Sequence, residues 1–216
     1  GHYSLNSRLS SLAYPNYGYI DLFNEDKSNH LIDINLASIN KWIDLYDHDY
    51  KLEFDPPSDT ILEGLGIKKY PWFVCLHVRE EGFRKNMNCT SSNRNASIKN
   101  YYKAINLIIK NGGCVVRIGD TNMTKLKPID GLIDYANSKF NSELLDIYLV
   151  QHCKFYIGTS SGPLDLAALF QKDIICTNSP VYTCYPCFTK KSIFLHKNVY
   201  KNEQILSHKD TLNNIK

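Results

Sequence analysis

Residues 72–79 read Trp72-Phe73-Val74-Cys75-Leu76-His77-Val78-Arg79, and Glu80-Glu81 follow. The run is apolar almost to its end and rich in aromatic and β-branched side chains, the make-up of a buried strand. A strand apolar on both faces belongs in a parallel sheet covered by helices, because a half-exposed antiparallel strand alternates apolar and polar residues. Strand alternation puts Cys75, His77 and Arg79 on one face and Val74, Leu76 and Val78 on the other.

The same grammar continues downstream. Residues 97–110 form an amphipathic helix with Ile98, Tyr102, Ile105 and Ile109 on one face, stopped by Asn111-Gly112-Gly113. A second strand spans 114–119 and a third, shorter one 131–135. Residues 142–152 are a helix with Ser142 as its cap and Leu144, Leu145, Tyr148 and Leu149 inward. A fourth strand covers 154–158, a helix 163–170 and a fifth strand 173–177. Strands alternating with helices predict an α/β fold, a Rossmann-like doubly wound parallel sheet with right-handed crossovers. Such sheets bind ligands beyond the carboxyl ends of their strands.

Upstream the pattern is weak. Residues 1–57 are polar, with a helical candidate at 36–46 (Leu36, Ile39, Ile43 and Tyr46 at helical spacing). Asp55-Pro56-Pro57 breaks the chain, and Ser58 or Asp59 caps a short helix to Leu65, ended by Gly66. We therefore divide the chain into an N-terminal polar segment, 1–57, and a Rossmann-like domain, 58–216.

Composition excludes several classes. The chain has 216 residues, 43% hydrophobic and 12% aromatic, enough for a core and unlike a disordered chain. No apolar run approaches the roughly 20 residues that span a bilayer. A formal net charge of +3 is too balanced for a nucleic-acid partner and leaves room for a small anionic ligand. Seven cysteines, scattered and odd in number, do not form a disulfide framework and suggest a reducing compartment. Cys184-Tyr185-Pro186-Cys187 has redox spacing but lies in a Pro-containing loop, and no second pair completes a zinc site. The sequons at Asn88, Asn95 and Asn122 are matches expected by chance in an Asn-rich chain. The opening Gly1-His2-Tyr3-Ser4 has neither the basic start nor the apolar core of a signal peptide, and without an initiating Met the chain reads as trimmed or partial.

Function is sought at the strand ends. His77, Arg79 and Glu80 close the first strand; Arg79 either pairs with a structural carboxylate or meets an anionic ligand, whose oxygens its planar fork suits. Arg117, Gly119 and Asp120 close the second; Arg117 is an ion pair within the sheet or a second anion contact. Asp134 follows the third and Asn178-Ser179-Pro180 the fifth. The fourth runs into Gly158-Thr159-Ser160-Ser161-Gly162-Pro163, a small polar turn opening a helix. A helix start of this kind either is merely capped or receives phosphate through its free N–H groups. Asp165 in its first turn suits the helix dipole but would repel a phosphate facing it. Asp146, in mid-helix, reads as a solvent-facing carboxylate.

The order of these motifs resembles a bacterial group of glycosyltransferases in the fucosyltransferase-like GT-B superfamily, the His-x-Arg type. The matching residues are His77 to Glu80, Arg94-Asn95 with Tyr101, Gly112-Gly113, Arg117 to Asp120, Ile133-Asp134-Tyr135, Asp146, Phe155 to Gly162 and Asn178 to Pro180. The likeness spans about residues 60–200, and Pro163-Leu164 and Asp165 depart from it. It implies the carboxyl, donor-binding half of a GT-B enzyme with part of the other half. The implied reaction moves a sugar, fucose-like in the best-known branches, from a nucleotide-diphosphate donor to a glycan, polysaccharide or lipid-linked acceptor. It inverts the anomeric centre and needs no metal or other cofactor. The implied setting is the cytoplasm, at the inner face of the membrane, with no membrane span and no nucleic acid. In the implied mechanism Arg79 holds the departing diphosphate, Glu80 is the base and His77 orients the site or touches the ribose. Arg117, Asp120, Asp134, Thr159, Ser160, Ser161 and Gly162 bind the nucleotide sugar. Two other classes stay open: a non-catalytic nucleotide- or sugar-binding module, and a structural interaction domain in which Arg79 meets only protein carboxylates.

Overall fold

The computed structural model describes residues 56–80, 94–179, 191–207 and 209–211. The helical candidate at 36–46 and the Cys184/Cys187 pair lie outside them. The chain enters the domain through helix α1 (Asp59–Gly64) and a 3-10 turn at Ile67–Lys69, separated by Gly66 at φ 75°. Strand β1 (Phe73–His77) leads through a 3-10 turn (Ile98–Tyr101) into helix α2 (Tyr102–Lys110). Strands β2 (Cys114–Arg117) and β3 (Leu132–Ile133) follow, then helix α3 (Glu143–His152), strand β4 (Tyr156–Thr159), helix α4 (Gly162–Leu169) and strand β5 (Ile174–Ser179). Strand β6 (Ile193–His196) and a small hairpin, β7 (Tyr200–Lys201) with β8 (Gln204–Ile205), complete the described chain.

The sheet order is β3-β2-β1-β4-β5-β6, every pairing parallel. This is the doubly wound Rossmann order, whose direction reverses between β1 and β4. Register brings His77 opposite Gly158 at that reversal, and Leu76 opposite Arg117 on the other side of β1. A Cβ on Gly158 would stand 2.7 Å from the His77 carbonyl oxygen and 2.8 Å from the Tyr156 ring, so the tight β1–β4 approach there requires glycine.

Each face of the sheet buries its own apolar layer, as a parallel sheet demands. Cys75, Val116, Tyr156 and Cys176 pack under α3 and α4 with Leu145, Leu149, Leu164 and Ala167. Val74, Leu76, Val78, Val115 and Ile157 pack under the 98–110 helix with Ile98, Tyr101, Ile105 and Ile108. That second face corrects the expected helical stripe, since Tyr101 is more buried than Tyr102. The 3-10 opening turn is the reason: side chains there eclipse every three residues, so Ile98 and Tyr101 align before the α-helix begins. Cys75, Cys114, Cys153 and Cys176 are buried free thiols. No helix among the described residues is long and apolar enough to cross a membrane.

Helix α3 holds two further corrections. Ser142 does cap it, accepting from the Leu145 N–H at 3.3 Å. Yet Leu144 is 57% exposed, whereas Asp146, expected to face solvent, is 7% exposed and packed near Tyr135. The helix rotates to bury Leu145, Leu149 and Val150, which carries residue 146 inward and 144 outward. Burial pushes the Asp146 carboxyl up to about 7, Glu143 adding to the rise and the Tyr135 hydroxyl opposing it. A carboxyl that binds its proton more tightly when folded stabilises fully below its unfolded value near 4, and the gain is lost as pH rises to about 7. Asp146→Asn is therefore expected to stabilise the domain by roughly 2 kcal/mol or more at about pH 8 and by almost nothing near pH 4. Denaturant titrations at the two pH values measure this, and an effect equal at both would rule out the buried charge as its cause.

Candidate functional site

The site lies at the carboxyl edge, where β1, β2, β3 and β4 end. Arg79 continues β1; its backbone N–H donates to Thr159 Oγ1 at 2.9 Å and its carbonyl accepts from Ala96 N–H at 2.8 Å. Thr159 and Ser160, both buried, turn the chain from β4 into α4. The expected residues His77, Arg79, Thr159, Ser160, Ser161 and Gly162 thus meet at the β1–β4 reversal.

Two serines open two helices and act differently. Ser142 caps α3, whereas Ser161, at the same position of α4, makes no side-chain cap bond. Its hydroxyl lies 2.9 Å from His77 Nδ1 and donates to the Thr159 carbonyl at 3.0 Å. A missing cap costs a helix about 1 kcal/mol. It also leaves the first turn of α4 without a side-chain acceptor, the arrangement that suits an anion. Burial, the Arg117 guanidinium and then that of Arg79 push the His77 imidazole down to about 4, so the ring is neutral near pH 7. Asp165 in the same turn is pushed up to about 6 by burial, with Arg94 pulling it back.

Arg117 has no exposed surface. Its Nη1 donates to Asp134 Oδ1 at 3.0 Å and to the Thr124 carbonyl at 2.6 Å, and its Nη2 lies 3.2 Å from Glu80 Oε2. The carboxylates reach the same loop: Glu80 Oε2 accepts from Thr124 N–H at 2.9 Å, and Asp134 Oδ2 from Leu126 N–H at 3.0 Å and Asn137 Nδ2 at 3.1 Å. Of the two readings left open for Arg117, the ion pair is the one formed. Glu80, expected as a base, is committed to Arg117 and Thr124, and Asp134, expected at a nucleoside, is held on both oxygens. Asp120 stands at the exposed loop tip, its Oδ1 accepting from the backbone and side chain of Asn122, each at 2.7 Å. Gly119 begins this loop at φ 138°; a Cβ there would meet Met123 Sδ and come 3.1 Å from His77 Cδ2.

Sequence reading missed the loop's anchors, Asn137 and Asn141. Asn141 Nδ2 donates to the Gly119 carbonyl at 3.1 Å, and Asn137 Nδ2 contacts the Met123 carbonyl at 3.4 Å. It also missed Lys197 after β6, whose Nζ donates to the Asn95 carbonyl at 2.9 Å. The available signal was the apolar run 193–195 ending in His196-Lys197, the same basic ending that closes β1. Among the described residues no cluster of His, Cys, Asp and Glu could hold a metal ion.

No protein-family model matches this sequence, and no curated protein matches it. Two solved structures are similar in fold. One is a glycosyl transferase family 9 protein from Veillonella parvula, 11% identical with a TM-score of 0.44 over 73% of this chain and 40% of that one. The other is TibC, a dodecameric iron-containing heptosyltransferase solved with ADP-D-β-D-heptose, 18% identical with a TM-score of 0.39 over 65% of this chain and 37% of that one. The chain therefore spans well under half the length of either neighbour.

Arg117→Met, which strands two carboxylates at the loop's root, is expected to cost roughly 3–5 kcal/mol of stability, and Glu80→Gln less because an amide oxygen still accepts the Thr124 N–H. Urea unfolding of both variants checks the order, and equal losses would disprove the shared-clamp account.

Proposed function

We propose that this domain binds the nucleotide-sugar donor of a glycosyltransferase. The reaction moves a sugar, of fucose-like type, from a nucleotide diphosphate to a glycan, polysaccharide or lipid-linked acceptor, inverting and without a metal, at the cytoplasmic face of the membrane. The observation that carries the reading is the meeting of Arg79 and His77 with the Thr159–Gly162 turn at the β1–β4 reversal, where doubly wound sheets take their ligands. The His-x-Arg resemblance supports the same reading.

Glycosyl transfer leaves a diphosphate carrying the electron pair of the broken bond, so catalysis rests on placing donors and positive charge at that oxygen. Arg79 supplies the charge and a two-pronged fork. The uncapped start of α4 supplies the Gly162 backbone N–H, Pro163 having none and Leu164 N–H being bonded to the Ser161 carbonyl at 3.0 Å. Arg117, fully buried, serves through the loop it holds with Glu80 and Asp134. The nucleoside contact falls to Asp120, which stands at the exposed tip of that loop.

The first test is calorimetric binding of GDP, UDP, ADP and CMP. One diphosphate is expected to bind at micromolar strength, and Arg79→Ala to lose about 2 kcal/mol, the scale of a charged hydrogen bond. Binding without any sugar transfer in a longer chain would favour the non-catalytic module; no binding at all would favour the interaction domain. Asp165 adds a pH signature. Charged above about pH 6 and in the turn that receives the phosphate, it opposes the ligand there and not below. Asp165→Asn is expected to tighten diphosphate binding about threefold or more near pH 8 and to leave it unchanged near pH 5; tightening at both would remove its charge from the explanation.

A further inference from the structure

We infer that His77 is the proton acceptor for the attacking hydroxyl, acting as the Nδ1–H tautomer with a bare Nε2, and that Ser161 is the positioning residue that sets this tautomer. The inference rests on the transferase reading above.

A carbonyl oxygen only accepts, so the 3.0 Å contact between Ser161 Oγ and the Thr159 carbonyl is a hydrogen bond only if the serine donates. The serine proton is then spent. The 2.9 Å contact to His77 Nδ1 is satisfied only if the ring donates from Nδ1, which leaves the lone pair on Nε2. Nε2 has no hydrogen-bond partner among the described residues. It lies on the ring edge facing Gly119, where a Cβ would come 3.4 Å from it, and the Met123 thioether borders the same space. Ser161 forgoes capping α4 to make this arrangement. The carboxylates nearby are occupied: Glu80 by Arg117 and Thr124, Asp134 by Arg117, Leu126 and Asn137.

The acceptor hydroxyl oxygen bonds to the anomeric carbon while the bond from that carbon to the phosphate oxygen breaks. The electron pair leaves on the diphosphate, and the hydroxyl proton passes to His77 Nε2, from which water later takes it. The groups facing the ring are Arg79 on its own strand, Arg117 on β2, Ser161 at the start of α4 and Met123 on the loop after β2. Burial first, and then the two guanidinium charges, hold the empty-site imidazole neutral. A bound diphosphate offsets them, so donor binding itself makes His77 the stronger base.

Long-range proton–nitrogen NMR of the ligand-free protein reads the tautomer directly. A protonated Nδ1 and bare Nε2 near pH 7 are expected, kept in Ser161→Thr, which preserves a hydroxyl, and mixed in Ser161→Ala; a protonated Nε2 in the wild type overturns the inference. The second measurement adds GDP, UDP or ADP. Whichever binds is expected to raise the proton affinity of His77 about tenfold or more. Calorimetry in two buffers near pH 5 is expected to show proton uptake in the wild type that His77→Gln lacks. A diphosphate that binds by calorimetry yet leaves the His77 titration unmoved overturns the proton-acceptor role alone. If none binds, the transferase reading falls and takes that role with it, while the tautomer, read without ligand, stands or falls separately.

Discussion

A guanidinium with no exposed surface, Arg117, holds the carboxyl edge of this sheet together. A buried charge is costly unless it is paired and hydrogen-bonded. Here its neutralising partners come from the ends of two other strands, Glu80 after β1 and Asp134 after β3. The same two carboxylates accept backbone N–H groups from Thr124 and Leu126. One electrostatic requirement therefore fixes three strand ends and the loop between β2 and β3 at once. That loop begins at Gly119, against the ring of His77. With Glu80 and Asp134 both held by Arg117, the carboxylates at this edge serve the frame.

Most of the fold was legible because its signals are local. Buried parallel strands announce themselves as continuous apolar runs, and β1, β2, β4 and β5 all did so. Ser142 fell at the start of α3 as its chemistry requires, and Gly66 at the αL position after α1. What escaped was set by tertiary geometry. The orientation of α3 follows from which residues fill the space under the sheet, and residue order alone does not say that Leu144 gives way to Asp146. The hairpin β7–β8 turns on Asn202 and Glu203, both at positive φ, and glutamate there gives none of the Asn-Gly signal that marks such turns. Strand β6 is short, and Ile193 and Leu195 on it are about half exposed, so its pattern is weak.

Which polar residues end the strands was legible; how they are wired to one another was not. His77, Arg79, Arg117 and the Thr159–Gly162 turn could be picked out because basic and small polar residues end otherwise apolar strands. Which carboxylate serves which cation could not, because Glu80 and Arg117 lie far apart in sequence and meet only through the register of β1 on β2. Neither could the diversion of Ser161 from its helix to His77, since a serine before a helix reads as a cap.

That last contact joins residues 84 positions apart, and the bond from the Arg79 backbone to Thr159 joins residues 80 apart. Parallel strands cannot pair through tight turns, so the two halves of the site meet only through a contact of high sequence separation, the slow kind to form. A hairpin, whose contacts are local, cannot hold a rudimentary version of it. A ligand gripping both sides of the β1–β4 seam would select the fully assembled sheet over every partly folded form, and so act as a clasp on the fold as well as a substrate.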